Sequence, residues 1–294
     1  MIYLTKEDWS NLILSKLANE ESFKEEFKEL WKIYNIINLL CRKIYQQINE
    51  QQIIFIAAQI IFHKYRVCSN FSLNKTSSEE LFILLGACLY IGQRAINILK
   101  IKLDKISFFL KQLINKKNPN INYETNDLNK KLIQKEYDIL TTIGFNIEID
   151  SPYLFFYKLK KYLIKSELNS ANFNTLLNYF ITDSYILPLC LYYTPNIIVI
   201  SCVKILIEKF NLKFINIKDL CSLSEYKLEE EDILQCTSLI KKIEDEINNK
   251  KNENKNNNNN KAIKKETEEK DNKNAISSEP SIAKIIPSIK MNID

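Results

Sequence analysis

Apolar positions recur at helical spacing along most of the chain. From Ser22 to Ile48, Phe23, Phe27, Leu30, Trp31, Tyr34, Ile37, Leu40, Cys41, Ile44 and Ile48 step by three and four, which predicts one long amphipathic helix. A shorter one is predicted over residues 5–17, capped by Thr5, with Trp9, Leu12, Ile13 and Leu17 on one face. Asn49 is placed to cap a third helix, Glu50 to Ser69, which holds the run IIFIAAQIIFHKYRV. After a polar loop, Phe71 to Ser77, the pattern changes: Ser78 to Asn97 is apolar on every side from Leu81 to Ile91. Such a helix is enclosed by other helices. Its apolar run is too short to span a bilayer, which takes about 20 residues. Ser77 or Ser78 can cap it, Glu79 and Glu80 suit its positive first turn, and Gly86, Ala87 and Cys88 permit close approach of neighbours. The helix is expected to surface at Gln93 and Arg94.

Amphipathic helices follow at about 102–115 (Ile106, Phe109, Leu110 and Leu113 inward) and 128–143, separated by a polar loop with Pro119. Gly144 is placed to end the second as a left-handed cap. FNIEIDSP, Phe145 to Pro152, reads as a link. The plan then repeats more loosely: helices over 153–165 and 172–190, the latter ended or kinked by Pro188, and an apolar helix Asn196–Phe210 opened by Pro195. A short helix over 217–223 and an amphipathic one over 228–247 complete it. Two apolar helices with small central residues, each wrapped by amphipathic ones, suggest a weak internal repeat. From Asn248 the apolar positions almost vanish, and the tail is expected to be disordered.

Composition agrees with helices. Only 3 of the 294 residues are Gly and 6 are Pro, too few for the turns of a sheet protein. The net charge of +5 is modest and its lysines are spread, so direct nucleic-acid binding is not expected. Seven cysteines without a C-x-x-C pair, and no secretory signal, predict reduced thiols in an intracellular protein; no membrane-spanning segment is read. His63 is the only histidine, which leaves no His-based triad or multi-His metal site. Neither a G-x-G-x-x-G nor a P-loop motif occurs, and no cofactor is implied.

Four segments, taken together and in order, resemble the cyclin family. IIFHKYRVCSNF (Ile60–Phe71) is similar to the cyclin-box helix that reads FHRFY before a Ser-Phe pair. GACLYIGQR (Gly86–Arg94) is similar to the third helix, and EYDILTTIGFNIEIDSPYLFF (Glu136–Phe156) to the fifth helix and its exit. TDSYILPLCLYYTPNIIVISCVKILIEKF (Thr182–Phe210) resembles the second repeat of cyclins of the K, L, T and C type. The resemblance implies an all-α protein of two tandem five-helix cyclin-box folds. Its expected parts are an N-terminal helix (1–21), a first, kinase-binding box (22–150), a second cyclin-like fold (151–247) and the Asn/Lys-rich tail (248–294). It implies no catalysis of its own, a heterodimer with a cyclin-dependent kinase, and a location in the nucleus, with the cytoplasm as a second compartment, in transcription or RNA-processing control.

In the family a Lys ending the third helix and a Glu in the fifth grip the kinase's mobile helix; Arg94 and Glu136 hold these positions. Apart from the flanking pattern, they read as an ordinary surface arginine and an ordinary helix-start glutamate. Ile91, Phe145 and Ile147 are the apolar residues expected around them. Two departures stand out. The family's acidic pair after the Lys is replaced by Ile96 and Asn97, and the first long helix lacks the Met-Arg-Ala-Ile-Leu docking patch of cell-cycle cyclins. A cyclin-like scaffold that activates no kinase, and a TFIIB-type tandem-fold transcription factor, are the alternatives. The second normally brings a Cys-rich zinc ribbon and basic helix surfaces that this chain does not display.

Overall fold

A computed structural model of the protein describes residue 17 and residues 19–46, 50–69, 71–98, 101–120, 123–164, 171–211, 217–225 and 227–275. The described residues are all-helical, without a strand. The helix expected over 5–17 lies outside them except for Leu17, which is buried. The helices are α1 (Glu20–Ile44), α2 (Gln51–Ser69), α3 (Ser78–Ala95), α4 (Leu103–Lys117), α5 (Thr125–Thr142), α6 (Pro152–Ile164), α7 (Ala171–Ser184), α8 (Pro195–Phe210), α9 (Ile217–Cys221) and α10 (Glu230–Ala275). Two 3-10 turns join them, Leu73–Lys75 and Pro188–Leu191.

The chain divides into two compact units, Met1–Glu246 and Ile247–Asp294. In the first, α3 is the axis of the N-terminal half: it packs most extensively on α2, α5 and α4, and its residues Leu81 to Leu89 are all buried. Its start is a full capping box, in which Ser77 accepts from the Glu80 amide while the Glu80 carboxylate accepts from the Ser77 amide. α8 is the axis of the C-terminal half and packs on α6, α7 and α9, with Ile197 to Val203 buried.

The two halves are joined through α1 and α2. The Tyr34 hydroxyl donates to Asp183 at 2.6 Å, and Asn178 donates to Gln52 at 2.8 Å. Tyr153 completes the second contact by donating to Asn178 at 2.8 Å. His63, wholly enclosed, bonds the carbonyl of Tyr185 through Nε2 at 3.0 Å.

Several expectations are corrected. α1 starts earlier, at Glu20, because the Asn19 side chain caps it by accepting from the amides of Glu21 and Ser22, and it ends at Ile44. α7 stops at Ser184, short of 190. Pro188 drives the preceding Leu187 to an extended conformation (ψ 157°), and the chain turns over Tyr185–Leu187 into a 3-10 segment. α10 does not stop at 247 but carries a helical backbone through Ala275, where a disordered tail is expected. That stretch contains neither Pro nor Gly, and the Lys250–Glu253 pair at 2.9 Å supports the helix beyond 247. Residues 276–294 lie outside the described chain.

Candidate functional site

The site is built where α3 and α5 end. Arg94 is in the last turn of α3, its side chain 51% exposed, and its guanidinium donates to the Glu136 carboxylate of α5 at 2.6 Å, where Glu136 is 13% exposed. The guanidinium also lies over the Tyr90 ring, 5.5 Å from the centroid. The two charges that sequence places at a partner surface are therefore brought together and pair with each other. With its arginine half exposed to solvent, the pair contributes on the order of 1 kcal/mol or less to stability, so its fold value is small.

Gln93 does not surface. It is buried, accepting from the Tyr45 hydroxyl at 3.2 Å and donating to the Ile101 carbonyl at 2.9 Å, which ties α1 and the α3–α4 connection to the end of α3. Ile91 is 2% exposed and is a core residue; it supports the site from below and has no surface to offer a partner, which corrects its placement at the interface.

The departure at Ile96 and Asn97 has a structural reason. Ile96 is the C-cap of α3, and Asn97 takes the left-handed position beyond it at φ 56°. The amide of Ile98 reaches the Gln93 carbonyl at 2.8 Å and that of Asn97 reaches the Arg94 carbonyl at 3.0 Å, a Schellman closure. Asn adopts that conformation readily, whereas a β-branched or bulky residue adopts it only under strain.

α5 ends in the same way. Gly144 is left-handed (φ 64°), with the Phe145 amide on the Leu140 carbonyl at 2.7 Å and the Gly144 amide on Thr141 at 3.2 Å. Gly144 thus sits in the left-handed region its position after α5 calls for. Phe145 is left-handed as well (φ 58°) and 59% exposed, and Ile147 beyond it is also exposed. On α5 itself Leu128, Leu132 and Ile139 face the core, while Ile133 and Tyr137 face outward, Tyr137 at 60% exposure. Ile133 and Tyr137 flank Glu136 along the helix. The apolar content of α5 does not by itself separate these outward residues from its core; the signal that does is helical spacing, by which 132 and 139 share a face that 133 and 137 do not.

The outcome is a set of exposed apolar side chains, Ile133 and Tyr137 on α5 and Phe145 and Ile147 just beyond its end, with Glu136 of the ion pair on the same helix. It can bury apolar side chains of a partner and offer it a cation and a carboxylate. Among the described residues no group of His, Cys, Asp or Glu is placed to hold a metal ion, and no helix is long and apolar enough to cross a membrane. All seven cysteines are free. Burial pushes the thiols of Cys190 and Cys236 up to about 12, which leaves them protonated and poor nucleophiles near neutrality. No protein-family model matches the chain, and no curated protein matches it.

Proposed function

We propose that the protein is a cyclin-like regulatory subunit that docks on a cyclin-dependent kinase through the ends of α3 and α5 and favours its active conformation. The observation that carries the reading is the exposure of Ile133, Tyr137, Phe145 and Ile147 on and just beyond α5, the helix that holds Glu136 of the Arg94–Glu136 pair. Exposed aromatic and aliphatic anchors beside a few charges are the makings of a binding hot spot. A subunit of this kind acts as a ligand with higher affinity for the active kinase than for the inactive one. The four sequence segments and a buried third helix support the same reading, which carries with it a role in transcription or RNA-processing control and a nuclear site of action.

The test is capture of partners on the full chain, with mass spectrometry and a kinase assay on the captured material. Recovery of a cyclin-dependent kinase with activity is the expected result; recovery of none sinks the proposal. A bound kinase without activity marks a scaffold, a reading favoured only by the absence of acids at Ile96 and Asn97. Glu136→Lys is expected to abolish capture with helical content unchanged. The double exchange Arg94→Glu with Glu136→Arg rebuilds the ion pair in reverse. Capture stays lost if the two charges address the partner and returns if they serve only each other.

A further inference from the structure

The turn that presents Phe145 is fastened from another helix. Two consecutive left-handed residues, Gly144 and Phe145, lead out of α5. Glycine takes that conformation freely, but in phenylalanine the Cβ crowds the carbonyl, and such a residue persists only where its surroundings over-determine it. Local backbone bonds supply part of this: Phe145 to Leu140 at 2.7 Å, Asn146 to Ile143 at 3.2 Å, and Ile147 to Phe145 at 3.0 Å. The rest comes from Lys64 of α2. Its ammonium donates to the Asn146 carbonyl at 3.3 Å, the Asn146 side-chain oxygen at 3.0 Å and the Glu148 carbonyl at 2.8 Å. None of these acceptors is a carboxylate, so the contact is a three-point clamp on the chain rather than an ion pair. Burial holds the Lys64 ammonium below the ordinary lysine pKa, with Glu148 and Asp150 among the groups opposing that shift.

We propose that Lys64 is a positioning residue of the docking surface: by holding Asn146 and Glu148 it fixes the left-handed turn in which Phe145 and Ile147 face a partner. The proposal rests on the kinase-docking reading of that surface and concerns a residue that lies on α2, apart from the Arg94–Glu136 pair. Lysine's three donors suit three acceptors arranged around one point.

The experiment uses the full chain with Lys64→Met, which keeps the length and removes the donors, and Lys64→Arg, which keeps a cation. Amide hydrogen exchange is followed at Phe145, Asn146 and Ile147 and, as reference, at Leu85 and Leu89 of α3. Affinity is measured for whichever recombinant cyclin-dependent kinase of a panel binds the wild type. In Lys64→Met, exchange at the three turn amides rises at least tenfold with the α3 amides unchanged, kinase affinity falls about tenfold, and Lys64→Arg recovers most of both. Unchanged exchange at the turn, or an equal rise in α3, overturns the proposal. So does a localised rise in exchange with unchanged kinase affinity. Should Lys64→Met not fold, Asn146→Ala removes one acceptor from an exposed position and is expected to raise exchange at Ile147 and Phe145 about threefold; no rise overturns the clamp. A wild-type chain that binds no kinase in the panel overturns the docking reading, and the exchange result then decides the clamp alone.

Discussion

α3 and α8 are both buried along most of their length, yet they meet their neighbours differently. α3 carries glycines at its contacts. A Cβ on Gly92 would lie 3.0 Å from the backbone nitrogen of Ala58 and 3.2 Å from the Ala57 Cβ, so α2 and α3 approach backbone to backbone. α8 has no glycine and buries Ile197, Ile198, Val199, Ile200, Val203 and Ile205, which keep neighbours at side-chain distance. Its one polar tie among the buried central residues is Ser201, which donates to the Ile233 carbonyl of α10 at 3.2 Å. The difference bears on function. Close backbone contact joins α2 to α3, the helices that place Lys64 and Arg94, while α5 with Glu136 meets α3 through the Leu132 side chain. The packing around α8 has more ways to adjust, because volume-conserving exchanges among aliphatic side chains cost little.

The largest expected effect breaks the α2–α3 contact. Gly92→Val introduces a branched side chain against backbone atoms that have no room to yield, and should cost about 3 kcal/mol or more in chemical denaturation. Gly86→Ala serves as its control. There the nearest atom is the flexible end of Leu110, 2.7 Å from the added Cβ, and the gain in helix propensity of about 1 kcal/mol offsets much of the crowding. Equal losses in the two variants would remove the distinction between backbone and side-chain contact.

The joint between the halves sharpens the comparison through pH. His63 donates to the Tyr185 carbonyl from a fully enclosed site, and burial lowers its pKa from 6.5 to about 4. Arg66 adds to the lowering, while the Tyr185 bond and Glu26 oppose it. The folded value lies below the unfolded one, so the unfolded chain takes up the proton first as pH falls. The stability that neutral His63 contributes is therefore whole above about pH 6.5 and is lost progressively toward pH 4, by about 3 kcal/mol in all. Denaturation at pH 7.5 and 4.5 should show the wild type losing about 2–3 kcal/mol more than His63→Gln, which cannot titrate. Parallel pH dependence in the two proteins would rule out His63 as the source.

The helices were legible where burial writes a period into the chain, as in α1, or an unbroken apolar run between helix-start signals, as in α3 and α8. What periodicity does not record is direction at the ends. Asn97 reads as a lost acid, yet its place is the left-handed residue that closes α3. Phe145 follows a glycine that the sequence marks clearly, but nothing in its own identity announces a second left-handed residue. Arg94 and Glu136 were visible as charges; their pairing depends on how α3 crosses α5, which no local pattern encodes. Lys64 was invisible as a functional residue because its acceptors are mostly main-chain carbonyls about 80 residues away. The continuation of α10 beyond 247 lacked the apolar repeat by which a packed helix is recognised.

The smallest effect concerns how the two axes begin. Ser77 and Glu80 satisfy each other's backbone amides at the start of α3, with Ser77 accepting at 3.2 Å and Glu80 at 3.0 Å. At α8, Thr194 makes no such side-chain bond, and Pro195 at the first helical position has no amide to satisfy. Ser77→Ala should therefore cost about 1 kcal/mol, and Thr194→Ala no more than about 0.3 kcal/mol. Both positions are exposed and neither substitution disturbs a core, so the difference between them isolates the cap. An equal cost at both sites would mean that Thr194 caps α8 in solution and that the two starts are alike. The predicted inequality would mean that α3 is fixed at both ends, by a capping box and a Schellman closure. α8 would then be held at its start by proline geometry and along its length by packing alone.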